Sequence, residues 1–266
     1  MRALVTNDDG VHSPGLHALA EVAVDAGLEV VIAAPHEERS GASASLTALQ
    51  KDSRLIIHES ETQVEGVEKV LGVEASPAFI VIAAMAGAFG PEPGLILSGI
   101  NLGPNTGNAI LHSGTVGAAL TGATLSCPGI AVSLAAPRPT QFGTAAGVAS
   151  QVLAWVLERE VSPTLVLNVN VPDVPLDELR GLRHAGLAEF GAVQAELGEI
   201  GKGYATITFS HLEVEYEAET DAALVRDGWA TITALAAPCE AVDLDVSGLP
   251  IGARSRQLRE PASADG

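Results

Sequence analysis

The chain has 266 residues, which is enough for one large core or two modest ones. Its 14 basic and 33 acidic residues give a formal net charge of −19. This balance argues against binding of nucleic acid polymers or anionic membranes, because both need a basic protein surface. A small phosphorylated substrate is compatible with the charge, since a bound cation reverses the sign of the local field.

Other features of the composition bear on the cellular compartment. Two cysteines are too few for a disulfide scaffold. The chain begins with an apolar run and shows no basic n-region of a signal peptide. The longest apolar stretch, residues 78–89, is about a dozen residues long and too short to span a bilayer. The sequence therefore predicts a cytoplasmic protein.

Strand and helix patterns alternate over the first two-thirds of the chain. Ala3–Thr6 and Glu29–Ala34 are predicted as buried strands, and Pro14–Ala26 as the helix between them. The crossover of this β-α-β unit is expected to be right-handed. The remaining predicted elements are strands at Arg54–His58, Val67–Leu71, Leu95–Leu97, Gly129–Leu134 and Thr164–Val171, and helices at Pro77–Phe89, Ser113–Leu125 and Thr144–Leu157. This pattern predicts an α/β fold.

Beyond Pro172 the pattern changes to short β-like runs. They lie at Tyr204–Phe209, Leu212–Tyr216 and Trp229–Leu235, without a crossover helix between the first two. We expect an antiparallel extension with a protruding hairpin. Unprotected strand edges favour pairing with another subunit, so the extension predicts a homo-oligomer.

The stretch Thr6–Gly10, T-N-D-D-G, joins the first strand to the first helix. Ligands of open α/β sheets bind beyond the carboxyl ends of the strands. Asp8 and Asp9 can share one site because Gly10 permits the chain to turn there. Two adjacent carboxylates repel unless a proton or a cation lies between them, and a hard divalent cation is the simplest partner. The alternative is an ordinary turn, since all these residue types favour turns.

Three later loops carry polar residues that are expected near this pair. Ser40 lies in the loop after the second strand, and Asn101 and Asn105 lie in the long loop after Leu97. Carboxamide oxygens suit a cation site begun by carboxylates. Ser113–Thr115 begins a helix, where hydroxyl and backbone N–H groups form an anion site. The alternatives are a turn-capping Ser40, a turn-rich connection at residues 98–108 and an ordinary helix N-cap at Ser113.

Five motifs occur in a defined order along the chain. They are T-N-D-D-G (6–10), R-S-G-A-S (39–43), S-G-I-N-x-G-x-N-x-G (98–107), S-G-T-V-G-A-A (113–119) and L-N-V-N-V-P (167–172). Together they resemble the SurE family of survival proteins, which are metal-dependent 5'/3'-nucleotidases. The resemblance covers most of residues 1–240.

The resemblance implies a Rossmann-like three-layer sandwich with a β-rich C-terminal extension used in oligomerisation. We expect a single domain over residues 1–250, with its core at 1–172 and the extension, including a swapped C-terminal segment, at 173–250. Residues 251–266 are expected to be a disordered tail. The assembly implied by the resemblance is a homodimer or a homotetramer.

The resemblance also implies the site residues and the reaction. Asp8, Asp9, Ser40 and Asn101 match the family's metal ligands, one cation per subunit, and their oxygen donors suit Mg²⁺ or Mn²⁺. The expected reaction is hydrolysis of nucleoside 5'- (and 3'-) monophosphates to nucleoside and phosphate, with Asp8 or Asp9 accepting the proton of water. The residues expected to contact phosphate or substrate are Asn7, Asn105, Ser113, Gly114 and Thr115.

The sequence departs from the family pattern at three places, which bear on substrate preference. Residues 73–79 replace a G-T-P-A-D-C-like stretch, His112 replaces a tyrosine, and Gly94 replaces an aspartate.

Three alternatives to this reaction stay open. In the first, Asp8 is a nucleophile, although metal coordination beside Asp9 would make it a poor one. In the second, which the altered segment at 73–79 suggests, the chain is a non-catalytic nucleotide-binding or interaction protein. In the third, the substrate is another small phosphate ester or short polyphosphate.

Overall fold

A computed structural model provides the coordinates of the chain. It describes residues 1–39, 41, 43–48, 50–51, 54–189, 193–201, 204–211 and 216–237. Ser40 and the tail predicted at 251–266 lie outside the described residues. Among the residues described, no helix has the length and apolar character needed to cross a bilayer.

Strands and helices alternate in the described chain as the sequence predicts. The strands are β1 (Arg2–Thr6), β2 (Glu29–Pro35), β3 (Gln50–Lys51), β4 (Arg54–Leu55), β5 (Ile57–Glu59), β6 (Val67–Val73), β7 (Leu95–Leu102), β8 (Gly129–Ala135), β9 (Leu165–Pro172), β10 (Leu182–His184), β11 (Val193–Gly201), β12 (Tyr204–His211) and β13 (Ala230–Ala236). The α-helices are α1 (Pro14–Asp25), α2 (Pro77–Met85), α3 (Gly114–Thr124), α4 (Phe142–Leu157) and α5 (Asp221–Arg226), and a 3-10 helix covers Gly107–His112. The α/β prediction is confirmed.

Nine strands form the central sheet, in the order β10-β13-β9-β8-β7-β1-β2-β6-β5. The strands from β9 to β6 in this order run parallel, whereas β5 and β13 pair antiparallel with β6 and β9. β1 lies between β2 and β7. After β1 the chain adds β2 on one side of it, and later returns to add β7 on the other side. This arrangement is a topological switch point, the place where open α/β sheets bind ligands.

Helices cover both faces of the sheet. Alternate residues of β1 point to opposite faces, so Val5 joins the cluster that contains Leu16 of α1 and Val148 of α4. Leu4 joins the cluster on the other face, with Ile80 of α2 and apolar side chains of the neighbouring strands. The predicted three-layer sandwich is therefore confirmed.

The β-rich region after Pro172 differs from the sequence prediction. β12 pairs with β11, a strand that the sequence analysis did not predict, and residues 212–215 of the predicted second hairpin strand lie outside the described residues. β13 pairs antiparallel with β9 in the central sheet, so the run at Trp229–Leu235 belongs to the core sheet and not to a separate extension. The role of this region in oligomerisation stays a prediction.

Two predicted boundaries are also corrected. α2 ends at Met85 and not at Phe89, because Gly87 and Gly90 adopt positive φ angles of 81° and 128° that end helical geometry. The single strand predicted at Arg54–His58 is divided into β4 and β5, which belong to different sheets.

Candidate active site

The loop after β1 is closed by the side chain of Asn7. Its Nδ2 donates to the Gly10 carbonyl at 3.1 Å, and its Oδ1 accepts from the Gly10 N–H at 3.2 Å. Gly10 has a φ of 99°, which glycine adopts without strain. Asn7 is fully buried. Its observed hydrogen bonds therefore hold the turn that presents Asp8 and Asp9, and the substrate contact predicted for Asn7 stays a prediction.

Asp8 is 4% exposed and lies against the start of α3. Its Oδ1 accepts a 2.5 Å hydrogen bond from the Thr115 hydroxyl. A Cβ at Gly114 would lie 2.7 Å from Asp8 Oδ2, so this position needs glycine. Burial raises the pKa of Asp8, and the hydrogen bond from Thr115 acts in the opposite direction.

Asp9 points towards the end of β7. Its Oδ2 accepts from the Leu102 N–H at 3.1 Å. Burial, followed by the negative charge of Asp8, raises the pKa of Asp9 to about 7. The two carboxylates therefore repel each other in a partly dehydrated place, and a bound cation would relieve this repulsion. This observation fits the metal site that the sequence predicts.

Asn101 adds a third oxygen to the same place. Its Oδ1 lies 3.2 Å from the Thr115 hydroxyl, which also contacts Asp8, and its Nδ2 donates to the Gly103 carbonyl at 2.9 Å. The bond to Gly103 orients the amide so that its oxygen faces the Thr115 hydroxyl, which also contacts Asp8. The structure thus brings together Asp8, Asp9 and Asn101, all oxygen donors of the kind that Mg²⁺ and Mn²⁺ prefer.

Ser40, the fourth predicted ligand, lies outside the described residues. The described residues before and after it are attached beside the site. The Arg39 N–H donates to the Asp8 carbonyl at 2.7 Å, and the Ser43 hydroxyl donates to the Leu111 carbonyl at 2.6 Å. The role of Ser40 as a ligand stays a prediction.

Of the residues predicted to contact phosphate, Ser113, Gly114 and Thr115 form the start of α3, and Asn105 lies in the loop after β7. Ser113 Oγ accepts from the Val116 N–H at 3.1 Å, which is the geometry of a helix N-cap. Asn105 Nδ2 donates to Ser133 Oγ at 2.8 Å. Contacts of Asn105, Ser113, Gly114 and Thr115 with phosphate stay predictions.

Comparison with known proteins places this chain in a family. A family model described as "Survival protein SurE" matches residues 3–194. The chain belongs to the SurE family. A 5'-nucleotidase SurE of Aeromonas hydrophila is 42% identical over 183 residues, which are 69% of this chain and 70% of that protein. A 5'-nucleotidase SurE of Dehalococcoides mccartyi is 35% identical over 239 residues, 88% of each chain.

A solved structure supports the assignment. The crystal structure of the SurE protein from Aquifex aeolicus matches this chain with a TM-score of 0.75 at 29% sequence identity. The match covers 91% of this chain and 96% of that one. The predicted SurE resemblance is therefore confirmed, together with the Rossmann-like fold that it implies.

Sequence reasoning missed the role of two asparagines in this SurE chain. Asn168 and Asn170 of β9 both donate through Nδ2 to the Asn105 carbonyl, at 2.8 and 2.9 Å, and Asn170 Oδ1 accepts from the Asn105 N–H at 2.8 Å. They hold the long loop that follows β7. The signal in the sequence is two asparagines at alternate positions of an otherwise apolar buried strand, which places both on one face.

Asp221, at the start of α5, is a further residue for which the sequence predicted no role at the site. Its Oδ2 accepts from the Gly107 N–H at 2.8 Å. Its Oδ1 accepts from the N–H groups of Ala188 and Ala222, at 3.0 and 2.8 Å. This buried carboxylate ties α5 to the 3-10 helix beside the site.

Residues 73–79, which depart from the SurE pattern, connect β6 to α2. Ser76 binds this segment to residues 45–47, because its N–H donates to the Thr47 carbonyl at 2.8 Å and its hydroxyl donates to the Ser45 carbonyl. Glu74 lies at the end of β6 and forms an ion pair with Arg39, with Nη2 and Oε2 3.7 Å apart. The altered segment therefore contacts the loop that precedes Ser40.

Proposed function

We propose that this SurE protein is a divalent-metal-dependent 5'-nucleotidase that hydrolyses nucleoside 5'- (and 3'-) monophosphates to nucleoside and phosphate. The observation that carries the proposal is the pair of carboxylates, Asp8 and Asp9, held side by side at the switch point of the sheet. The names of its relatives, 5'-nucleotidase SurE, support the same reaction. The alternative of a non-catalytic binding protein is not favoured, because those relatives are named as enzymes.

The metal would be held by Asp8, Asp9 and Asn101, with Ser40 as the fourth ligand. Their oxygens favour Mg²⁺ or Mn²⁺, one ion per subunit. When bound, such an ion polarises the phosphate ester and lowers the pKa of a water molecule. The protein's own part is to keep the carboxylate oxygens in place through the Thr115 hydroxyl and the Leu102 N–H.

We propose different tasks for the two carboxylates. Asp8 Oδ1 is engaged by Thr115, whereas Asp9 Oδ1 accepts no hydrogen bond from the described residues. We therefore assign to Asp9 the acceptance of the proton from the attacking water. The amino end of α3, with Ser113, Gly114 and Thr115, favours negative charge and is the proposed position of the phosphate. We propose that Asn7 and Asn105, in the loops after β1 and β7, also contact the substrate.

The assembly and the location of the protein also belong to this proposal. We propose a homodimer or homotetramer in the cytoplasm, in which part of residues 173–250 contacts another subunit. The hairpin of β11 and β12 supports this, because within the described residues its two strands pair only with each other, which leaves two strand edges open. Light scattering at micromolar concentration should give a mass of at least two chains, and a monomer would contradict the proposal.

Phosphate release from adenosine 5'-monophosphate tests the activity. Protein stripped with EDTA should release no phosphate, and added Mn²⁺ or Mg²⁺ should restore the reaction. Adenosine 3'-monophosphate, short polyphosphate and p-nitrophenyl phosphate, assayed in parallel, separate a nucleotidase from a phosphatase of other esters. Failure of every divalent ion to restore phosphate release from a folded protein would contradict the proposed function.

A further inference from the structure

We propose that His36, His58 and Glu74 form a second metal site, for a transition ion of the zinc class, separate from the oxygen-donor site of Asp8 and Asp9. One ligand atom from each residue lies within 4.8 Å of the other two. No residue of this cluster belongs to the proposed catalytic set. The inference stands on this geometry and does not depend on the proposed nucleotidase reaction.

Three adjacent strands bring the side chains together. β6 lies between β2 and β5. His36 follows the last residue of β2, and its N–H donates to the Val73 carbonyl of β6 at 2.9 Å. His58 of β5 pairs with Gly72 of β6, and Glu74 comes directly after β6. Because these contacts are backbone pairings of a sheet, the positions of all three residues are fixed by the fold.

Gly72 leaves the space in which the two imidazole rings meet. A Cβ at Gly72 would lie 2.8 Å from His36 Nδ1. Without it, the rings of His36 and His58 stack with their centroids 4.2 Å apart and their planes at 27°. The glycine therefore permits an arrangement that any larger residue would displace.

Two imidazole nitrogens of the cluster have unmet bonding capacity. His36 Nδ1 and His58 Nε2 are shielded from solvent and have no hydrogen-bond partner among the described residues. His58 Nε2 lies 3.3 Å from Glu74 Oε1, outside hydrogen-bond geometry. Buried polar atoms without a partner are rare in folded proteins, because leaving them unpaired costs free energy. Coordination of a cation would satisfy them.

The donor set selects the class of metal. Two imidazoles and one glutamate are the His₂Glu ligands of several catalytic zinc sites, which keep a fourth position open. Imidazole nitrogen suits Zn²⁺, Co²⁺, Ni²⁺ and Cu²⁺, whereas Mg²⁺ prefers oxygen. Bonds of about 2 Å require the ligand atoms to approach one another to about 3.4 Å in a tetrahedron. His58, whose side chain is 42% exposed, has room for this adjustment.

Arg39 connects this cluster with the carboxylate site. Its guanidinium lies 3.7 Å from Glu74 Oε2, and its backbone N–H donates to the Asp8 carbonyl. Arg39 and Glu74, with Thr47 and Ala48, also line an open pocket of about 250 Å³. The open coordination position would therefore lie beside a pocket that can admit a small ligand.

Cobalt binding to the full-length chain tests the second site. We would use the Asp9→Asn protein, in which the oxygen-donor site is impaired, strip it with a chelator and titrate it with Co²⁺. One equivalent should bind and give the visible absorption bands of tetrahedral, nitrogen-coordinated cobalt. His58→Ala and Glu74→Gln, each made in the Asp9→Asn protein, should lower the affinity by about 100-fold or more, since even outer-shell changes cost 10- to 100-fold.

Matched controls keep the result interpretable. His184→Ala, which removes an exposed histidine of β10, should leave the cobalt spectrum unchanged. Gly72→Ala should weaken binding by displacing His36. If His58→Ala lowers the melting temperature, Glu74→Gln provides the same test with a nearly identical shape. Absence of cobalt binding up to about 1 mM, or equal spectra in Asp9→Asn and both ligand variants, would overturn the second site. The readout is metal binding, so an inactive enzyme would not affect it.

Discussion

Asp221, which is buried, and Asp9, which is half-buried, are carboxylates in two regions of the molecule that use them differently. Asp221 accepts hydrogen bonds from three backbone N–H groups, which belong to Gly107, Ala188 and Ala222. Asp9 accepts one, from Leu102, and lies beside Asp8. Burial is the largest cause of the raised pKa of both aspartates.

Burial of a carboxylate alone therefore does not identify it as a metal ligand. Three donors satisfy the Asp221 oxygens, so this residue fastens α5 to the 3-10 helix and to the chain before it. Asp9 keeps lone pairs available and faces a second negative charge, which favours a cation. The number of donors around each carboxylate, and not its depth, indicates its role.

The largest expected effect follows from removing the charge of Asp9. Asp9→Asn should lower the metal-dependent kcat/KM for a nucleoside monophosphate by about 1000-fold or more, because a metal ligand and the proposed proton acceptor are lost together. The metal-free variant should melt no lower than the unchanged protein, since the repulsion with Asp8 disappears. Kinetics within threefold of the unchanged protein would exclude Asp9 from the site.

Asp221→Ala should give the opposite pattern. It leaves three buried N–H groups without a partner, which should lower the free energy of unfolding by about 3 kcal/mol or more. Metal affinity per folded molecule should change little. Urea denaturation and Mn²⁺ titration of the same samples measure the two quantities. Asp221→Asn, which keeps one carbonyl oxygen, is the matched control and should lose less stability.

The two hydroxyls at the start of α3 provide a sharper test. The Thr115 hydroxyl donates to Asp8 Oδ1, so Thr115→Val should weaken metal binding by about 10- to 100-fold, as outer-shell partners do. The Ser113 hydroxyl caps the helix, so Ser113→Ala should cost about 1 kcal/mol of stability and leave metal affinity unchanged. A loss of kcat/KM by about 10-fold in Ser113→Ala would show that Ser113 also contacts the phosphate. Equal metal affinity in both variants would contradict the role of Thr115 in holding Asp8.

The smallest expected effect is a change in the pH dependence of stability, which tests the charge on Asp9. Its pKa is raised from 3.8 to about 7, so the folded protein binds the proton more tightly than the unfolded chain. This contribution to stability is fully present below pH 4 and is lost as the pH rises through 7. Between pH 5 and 8 the free energy of unfolding of the metal-free protein should fall by about 1–2 kcal/mol more than that of the metal-free Asp9→Asn variant. Saturating Mn²⁺ should abolish the difference, and equal slopes without metal would contradict the raised pKa.

The sequence predicts the central fold because its local signals agree with its tertiary structure. Ser13–Pro14 and Gly27 limit α1 to within one residue of the observed helix, and apolar runs give β1, β2, β8 and β9 closely. The same signals fail for β11, which has Gly and Glu between its apolar residues. They give β13 to within one residue, but its place beside β9 depends on long-range pairing.

The sequence predicts only part of the site, again because several of its contacts join residues that are far apart in the chain. The adjacent Asp8 and Asp9 indicate a cation, whereas the order of the strands around them is seen only in the structure. The clamp formed by Asn168 and Asn170 on Asn105 joins residues 63 and 65 positions apart, and no local pattern encodes such a contact. The cluster of His36, His58 and Glu74 likewise depends on the order of β2, β6 and β5, which places distant residues side by side.

A crystal structure of the protein soaked with Mn²⁺ and recorded at a wavelength where manganese scatters anomalously tests the central claim most directly. We expect an anomalous peak about 2 Å from carboxylate oxygens of both Asp8 and Asp9, with the Asn101 carbonyl oxygen also in the coordination shell. Crystals in which the protein hydrolyses a nucleoside monophosphate while manganese lies elsewhere, with no peak between the two aspartates, would contradict it.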